Sequence, residues 1–310
     1  MNGTTARRIL FIVCLAICVS PRVGTATALV MGVCFSLLIG NPWPDRSARL
    51  SKIILQISVV GLGFGLSLGE VLRTGKACVI YTMVGITFTI AAGHALGRLF
   101  HTNSNTSALI SVGTAICGGS AIAAMAPVLK AKDDETAVAM ATVFTLNSLA
   151  LLLFPVIGHA LQLSQDVFGT WAGLAIHDTS SVVGAAASYG TQALAVGTTV
   201  KLTRAIWITP VVMGIAWFKK SDQKGRVPLF IIGFILTAAT RTLLPQYGYL
   251  WGELSAAARQ SLVVTLFLIG SGLSREVLRN VGVRPLLQGV TLWLIVSGLT
   301  LSALLLVGIF

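Results

Sequence analysis

Eleven apolar runs, separated by short polar links, leave this chain little choice but to fold across lipid. They cover about residues 9–20, 23–40, 50–69, 77–100, 106–129, 136–158, 168–190, 194–217, 227–246, 257–274 and 285–309. A helix needs about 20 apolar residues to cross a bilayer. With no water in the hydrocarbon, each backbone polar group must be paired inside its own segment. The expectation is therefore an all-α membrane protein of about 11 transmembrane helices, a single integral domain over residues 1–310. Only 10% of the residues are charged, against about 25% in a soluble domain.

The formal net charge of +12 does not point to nucleic acid, because the basic residues lie singly or in small groups between the apolar runs. That is the distribution that orients a membrane protein. Thirteen Lys and Arg fall on the side of the N-terminus and seven on the opposite side, which puts the N-terminus in the cytoplasm and the C-terminus outside. The first run is short. Arg7-Arg8 before it and Ala26-Thr27-Ala28 after it look like a signal peptide with its cleavage site. Cutting after Ala28 would leave Leu29–Gly40 too short to span, so a tilted or partial first helix is expected instead.

Cys14, Cys18, Cys34, Cys78 and Cys117 lie in or beside apolar runs, with no C-x-x-C and no zinc spacing. They read as small buried hydrophobes, and no cofactor or metal is expected.

The fifth run contains Thr114-Ala-Ile-Cys-Gly-Gly-Ser120, and the seventh contains Leu174-Ala-Ile-His-Asp-Thr-Ser-Ser181. Both read Ala-Ile, then Cys or His, two variable positions, then Ser. Such sequences are poor lipid-facing helix, and discontinuous helices of this kind mark the midplane sites of secondary transporters. A half-helix starting near Gly118-Gly119-Ser120 would offer unpaired N–H groups and a positive dipole end to an anion. Thr179, Ser180 and Ser181 would do the same from the other break. The competing reading of the glycine pair is close helix packing.

Ionisable groups within spans are costly and call for an explanation. His177 and Asp178 sit in the seventh run, and Lys201 and Arg204 in the eighth, three apart and so on one helix face. Thr198, Thr199 and Thr203 add hydroxyls around them. Either Asp178 pairs with one of the cations to join two helices, or Lys201 and Arg204 provide countercharge to an anion while His177 and Asp178 handle a coupling proton. Asn147 in the sixth run either caps a neighbouring helix or lines the path. Pro127, Pro155 and Pro210 read as kinks. Asp133-Asp134-Glu135 reads as acid in the first turn of a helix, and the tryptophans as interface anchors or packing.

Gly65-Leu-Ser-Leu-Gly-Glu-Val-Leu-Arg73 and Gly272-Leu-Ser-Arg-Glu-Val-Leu-Arg279 match at seven residues with one gap. They end the third and tenth runs, an odd separation, as in an inverted repeat. The two break motifs lie an even number of runs apart. Either they are not repeat equivalents or one of them is a hairpin.

Three motifs together carry a resemblance. They are Gly113–Ala124 with Pro127 and Lys130-Ala131, then Ala175–Asp178 with Val182-Val183 and Ala185-Ala186, and finally Lys201-Leu-Thr-Arg204 with Pro210. From about residue 30 onward the chain resembles the YeiH-like sulfate exporter family of the bacterial inner membrane. The resemblance implies a multi-pass permease exporting sulfur oxyanions. The family often has Glu where this chain has Asp178, and its N-terminal region is longer. The broken-helix plan is also similar to that of bile-acid/sodium symporters, by fold analogy alone.

The resulting expectation is a secondary transporter for a small anion, not an enzyme. Cys117, Gly118, Gly119, Ser120, Thr179, Ser180, Ser181, Lys201 and Arg204 would bind the substrate, with His177, Asp178 and Asn147 coupling or gating. The coupling ion would be H+ or Na+, and the partners lipid, the anion and a second copy of the chain. Rival readings are a sodium-coupled organic-anion symporter with Asp178 and Asn147 as ligands, an anion channel, and an intramembrane hydrolase using Ser120 or Ser180 with His177.

Overall fold

The computed structural model describes residues 3–20, 22–218, 229–272 and 282–307, and among these the chain is helix joined by short turns, without strands. Fourteen helices follow in order: α1 Gly3–Cys18, α2 Thr25–Leu38, α3 Pro44–Leu62, α4 Leu68–Leu99, α5 Ser104–Ala115, α6 Gly119–Leu129, α7 Asp133–Ala160, α8 Gln165–Ala175, α9 Thr179–Tyr189, α10 Thr191–Ile206, α11 Ile208–Phe218, α12 Leu229–Leu243, α13 Gly248–Ser271 and α14 Val283–Val307. Six stretches among the described residues are long and apolar enough to cross a membrane: Pro44–Gly65, Val79–Leu99, Asp133–Ala160, Thr191–Trp217, Pro245–Ser271 and Val283–Leu306. The runs read as 106–129, 168–190 and 194–217 each divide into two helices. The third divides only by a turn at Trp207, whose N–H returns to Arg204 O.

The chain falls into two compact units. The first comprises residues 1–72 and 228–276, the second residues 73–227 and 277–310. In the first unit α13 packs along α2 and α3. Gly32 and Gly270 let the α2 and α13 backbones touch: a Cβ on Gly32 would overlap Phe267 O, and one on Gly270 would overlap Leu29 O. Close approach of this kind is how helices associate where lipid offers no hydrophobic drive. The run read as partial, α1, docks on this pair. Phe11 is 3% exposed and meets Phe35, Trp43 and Phe267 with ring centroids 5.3, 5.9 and 5.2 Å away. Gln260 Nε2 donates to the carbonyls of Cys18, Val19 and Ser20, closing the end of α1. Cys18 and Cys117 are buried as expected, but Cys34 is exposed on α2.

The first copy of the repeated motif is a helix start. Ser67 N–H and hydroxyl both donate to Glu70 Oε2, at 2.7 and 2.8 Å, and Glu70 N–H donates back to Ser67 Oγ at 3.2 Å. This is a reciprocal cap on α4. Residues 273–279 of the second copy lie outside the described residues.

In the second unit α7, α8 and α14 share an aromatic stack. Phe154 and Trp171 lie 4.1 Å apart, and Trp171 Nε1 donates to Ser297 O at 3.0 Å. Gln288 Nε2, fully buried on α14, donates to Gly93 O and Ser107 Oγ, tying α4 and α5 to it. The acidic first turn of α7 is present, with Glu135 accepting from Lys132 N–H and Asn105 Nδ2.

The Glu70 cap makes a testable statement about pH. Its carboxyl is held below its ordinary value, first by the Ser67 N–H, then by the Ser67 hydroxyl, with Arg241 adding to both. A carboxyl lowered by folding stabilises above its unfolded pKa and loses that contribution as pH falls through the folded one. Ser67→Ala is therefore expected to lower stability by about 1 kcal/mol at neutral pH, and to narrow the gap to the wild type as the solution is acidified. Thermal unfolding in detergent at both pH values checks it.

Candidate functional site

Two helices of the second unit stop inside protein and restart three residues later. The first stop is made by backbone conformation. Ile116 lies at φ −122°, ψ −85°, and Gly118 at φ 65°, ψ −128°, a region open to glycine alone. Gly118 N–H reaches back to Gly113 O at 2.8 Å, and its carbonyl accepts from Ala121 and Ile122 at 3.1 Å each. The second stop falls at Ile176–Asp178, extended at Ile176 (ψ 134°) and at Asp178 (ψ 145°). Counted along the chain the two breaks correspond at a constant spacing of 60 residues, Gly113 with Gly173, Ile116 with Ile176 and Gly118 with Asp178.

A helix end leaves carbonyls unpaired and carries negative partial charge. Here both ends are served by the same two side chains of α10. Lys201 Nζ donates to Ile116 O at 3.0 Å and to Ile176 O at 2.7 Å. Arg204 donates through Nε to Ala115 O at 2.6 Å, through Nη2 to Thr114 O at 3.1 Å, and through Nη1 to Leu174 O. Lys201 thus holds one carbonyl at the same position of each break, and Arg204 does so again at Thr114 and Leu174. Both side chains are buried, at 0% and 3% exposure.

This geometry corrects one sequence reading and extends another. Neither cation pairs with Asp178, so the inter-helix ion pair is absent among the described residues. The two cations direct five of their eight N–H donors to backbone carbonyls, a use the sequence reading of them as countercharge did not include. The hydroxyls expected nearby mostly turn inward too: Thr199 and Thr203 donate to Ala195 O and Thr199 O within α10.

The restarts differ from each other. At α9 two of the N-terminal donors are capped, since Asp178 Oδ2 accepts from Ser180 N at 2.9 Å and Ser181 N at 3.3 Å, and from the Ser180 hydroxyl. Thr179 and Ser181 are buried and Ser180 is committed to this cap, so the second break does not present the open anion cradle expected of it. At α6 the residue matching Asp178 is Gly118, which has no side chain to cap with. Gly119 N–H and Ser120 N–H have no acceptor among the described residues, and Ser120 is exposed. Phe144 of α7 lies against Gly119, where a Cβ would come within 2.7 Å of its ring.

Asn147, also on α7, stands between the breaks. Its Oδ1 accepts from Asp178 N–H at 3.2 Å. Its Nδ2 has no partner although the residue is 3% exposed, and it lies 3.5 Å from where a Cβ on Gly118 would be. His177 is 1% exposed with neither ring nitrogen bonded. Cys117 is free and 3% exposed. An apolar cavity of about 450 Å3 lies beyond Arg204, walled by Leu174, Val84, Phe88 and Leu299. Arg204 is its one charged lining residue among those described, and that side chain is already engaged.

A family model described as "Conserved hypothetical protein 698" matches residues 8–289. The chain belongs to this family, that of the UPF0324 membrane proteins. The YeiH-like resemblance is to the same family. A UPF0324 membrane protein of Geobacter sulfurreducens is 66% identical over 304 residues, spanning 98% of each chain. One from Bdellovibrio bacteriovorus is 47% identical over 312 residues, covering 98% of this chain and 96% of its own. One from Bacteroides thetaiotaomicron is 50% identical over 289 residues, covering 91% and 87%. No solved structure matches the chain. For this UPF0324 protein the matches and the apolar helices together give a multi-pass membrane protein in contact with lipid.

Sequence reasoning did not find the carbonyl shell of Thr114, Ala115, Ile116, Leu174 and Ile176, nor Phe144. The constant 60-residue spacing was the available signal for the shell, since it sets the two Ala-Ile pairs in register. If the two cations serve as carbonyl donors, Lys201→Met leaves Ile116 O and Ile176 O buried and unpaired. At about 1–3 kcal/mol for each such group, a fall of about 2–6 kcal/mol in unfolding free energy is expected. A variant as stable as the wild type in detergent melts would remove the role.

Proposed function

We propose that this UPF0324 protein is a secondary transporter for a small anion, held at the N-terminus of α6 by Gly118, Gly119 and Ser120. The observation that carries the reading is the uncapped start of α6. Two backbone donors and a hydroxyl stand there without acceptors, while the matching end at α9 holds its own carboxylate. An uncapped helix N-terminus is a ready anion site, and glycine lets the ligand approach the backbone closely. Sulfate, sulfite and sulfonates are the substrates we infer, in keeping with the resemblance. Export across the bacterial inner membrane, an N-terminus in the cytoplasm, a C-terminus outside, about 11 spans and two helices broken at the midplane complete the reading.

Two features favour anion over sodium. The carbonyls freed by the breaks, which a sodium site would use, are occupied by an ammonium and a guanidinium. Asn147 Oδ1 and Asp178 Oδ2 accept backbone N–H groups instead. Proton coupling through His177 and Asp178 is the drive that fits best. The arrangement also favours a transporter over a hydrolase, because Ser180 Oγ donates to Asp178 and no hydroxyl meets His177.

A thermal-shift screen of the purified protein against sulfate, sulfite, thiosulfate, sulfonates and carboxylates tests the proposal. A ligand at 100 times its Kd adds about 2.7 kcal/mol to folded-state stability, enough for a clear rise in Tm. Gly118→Ala forces a side chain into the left-handed region at the site and is expected to abolish the shift. Uptake into proteoliposomes is expected to be independent of sodium; strict sodium dependence would favour the symporter.

A further inference from the structure

Building on the anion site just described, we infer that it is selective for an oxyanion of net charge minus one, and that Asn147 Nδ2 is the side-chain donor that recognises it. Two observations independent of the helix end carry this.

The first is the amide of Asn147. A backbone N–H needs an acceptor, so the bond from Asp178 N–H fixes which atom of the amide is oxygen and turns Nδ2 toward Gly118. A buried N–H left without an acceptor costs about 1–3 kcal/mol, and Asn147 Nδ2 is in that state at 3% exposure. An oxygen at the start of α6 satisfies it together with Gly119 N–H and Ser120 N–H. Three donors on two elements call for a ligand with several acceptor atoms around one centre, which is the chemistry of an oxyanion.

The second is the charge balance. The charged and titratable groups gathered at the breaks are Cys117, His177, Asp178, Lys201 and Arg204. At their ordinary protonation near neutral pH, Lys201 and Arg204 count as two positive charges and Asp178 as one negative, with the imidazole and thiol counted neutral. The helix ends add nothing net, because two C-termini and two N-termini meet here with opposite partial charges. One positive charge is left over among buried groups, where uncompensated charge is costly. A ligand of charge minus one cancels it. A dianion overshoots unless a proton comes with it.

Sulfate and methanesulfonate separate the possibilities, since both are tetrahedral and differ in charge. With the full-length protein in detergent, at fixed ionic strength and neutral pH, methanesulfonate is expected to bind at least about tenfold tighter than sulfate. Sulfate binding that takes up one proton, read from the buffer dependence of the calorimetric heat, also fits the charge count. Sulfate binding as tight and with no proton uptake overturns it, yet leaves the anion-transport reading standing. No shift with any anion would defeat that reading itself. Asn147→Asp keeps an acceptor for Asp178 N–H and replaces the donor with a negative oxygen. It is expected to keep a near-wild-type Tm and to lose methanesulfonate affinity by more than about tenfold. Asn147→Ser, which restores a small donor, is expected to recover part of that affinity. Wild-type affinity in a folded Asn147→Asp protein overturns the role of Nδ2. Should Asn147→Asp fail to fold, wild-type affinity in Asn147→Leu overturns it equally.

Discussion

A helix that ends in an apolar interior leaves carbonyls that water cannot reach, and the second unit of this protein contains two such ends. They are tolerated because Lys201 and Arg204, one turn apart on α10, reach both at once. Burying two cations carries an effective penalty of several kcal/mol each. Against it stand five carbonyl bonds, the negative ends of two helices and the carboxylate of Asp178 nearby. The two cations suit the task in different ways. The guanidinium is a planar fork that spans three carbonyls on two helices, while the ammonium is a point charge bridging a single matched pair. Removing either side chain would orphan carbonyls on α5 and α8 together, so the breaks stand or fall as one structure.

That shared anchor gives meaning to the one place where the breaks differ. At corresponding positions α9 begins with Asp178 and α6 with Gly118. The carboxylate accepts from the Ser180 and Ser181 N–H groups of its own helix and puts a negative charge where an outside anion would sit. The glycine leaves the α6 start without a side-chain cap and supplies the positive φ at the break. An aspartate at both positions would make a braced, closed structure without a ligand site. On the proposed function, glycine in place of a capping residue is the difference that leaves room for a ligand.

Much of this was legible in the sequence. The apolar runs gave the helices, because lipid permits few alternatives, and the glycine pair and polar stretch marked where helices stop. The three-residue spacing of Lys201 and Arg204 put them on one face of α10. What that spacing could not reveal was what lay opposite the face. Backbone carbonyls have no sequence signature, so the cations were matched with the nearest acid in the chain, Asp178, or with an outside anion. Thr199 and Thr203 misled for a related reason, since a hydroxyl in a helix can return to its own turn. The docking of α1 was hidden by its length: a run of 12 residues looks too short to span, and Phe11 is what fastens it.

The same anchor bears on what could drive transport. A sodium ion needs oxygen ligands, and unwound helices usually offer carbonyls for it. In this fold a lysine and an arginine bond five of those carbonyls, and the amide oxygen of Asn147 and Oδ2 of Asp178 accept from backbone donors. Also without a partner among the described residues are the N–H groups of Gly119 and Ser120, Asn147 Nδ2 and both ring nitrogens of His177. Unpaired donors call for an acceptor-rich, negative ligand, and an unbonded imidazole calls for a proton. On these grounds an anion accompanied by a proton uses groups still unpaired, whereas a sodium ion would compete with Lys201 and Arg204 for the five carbonyls they already bond.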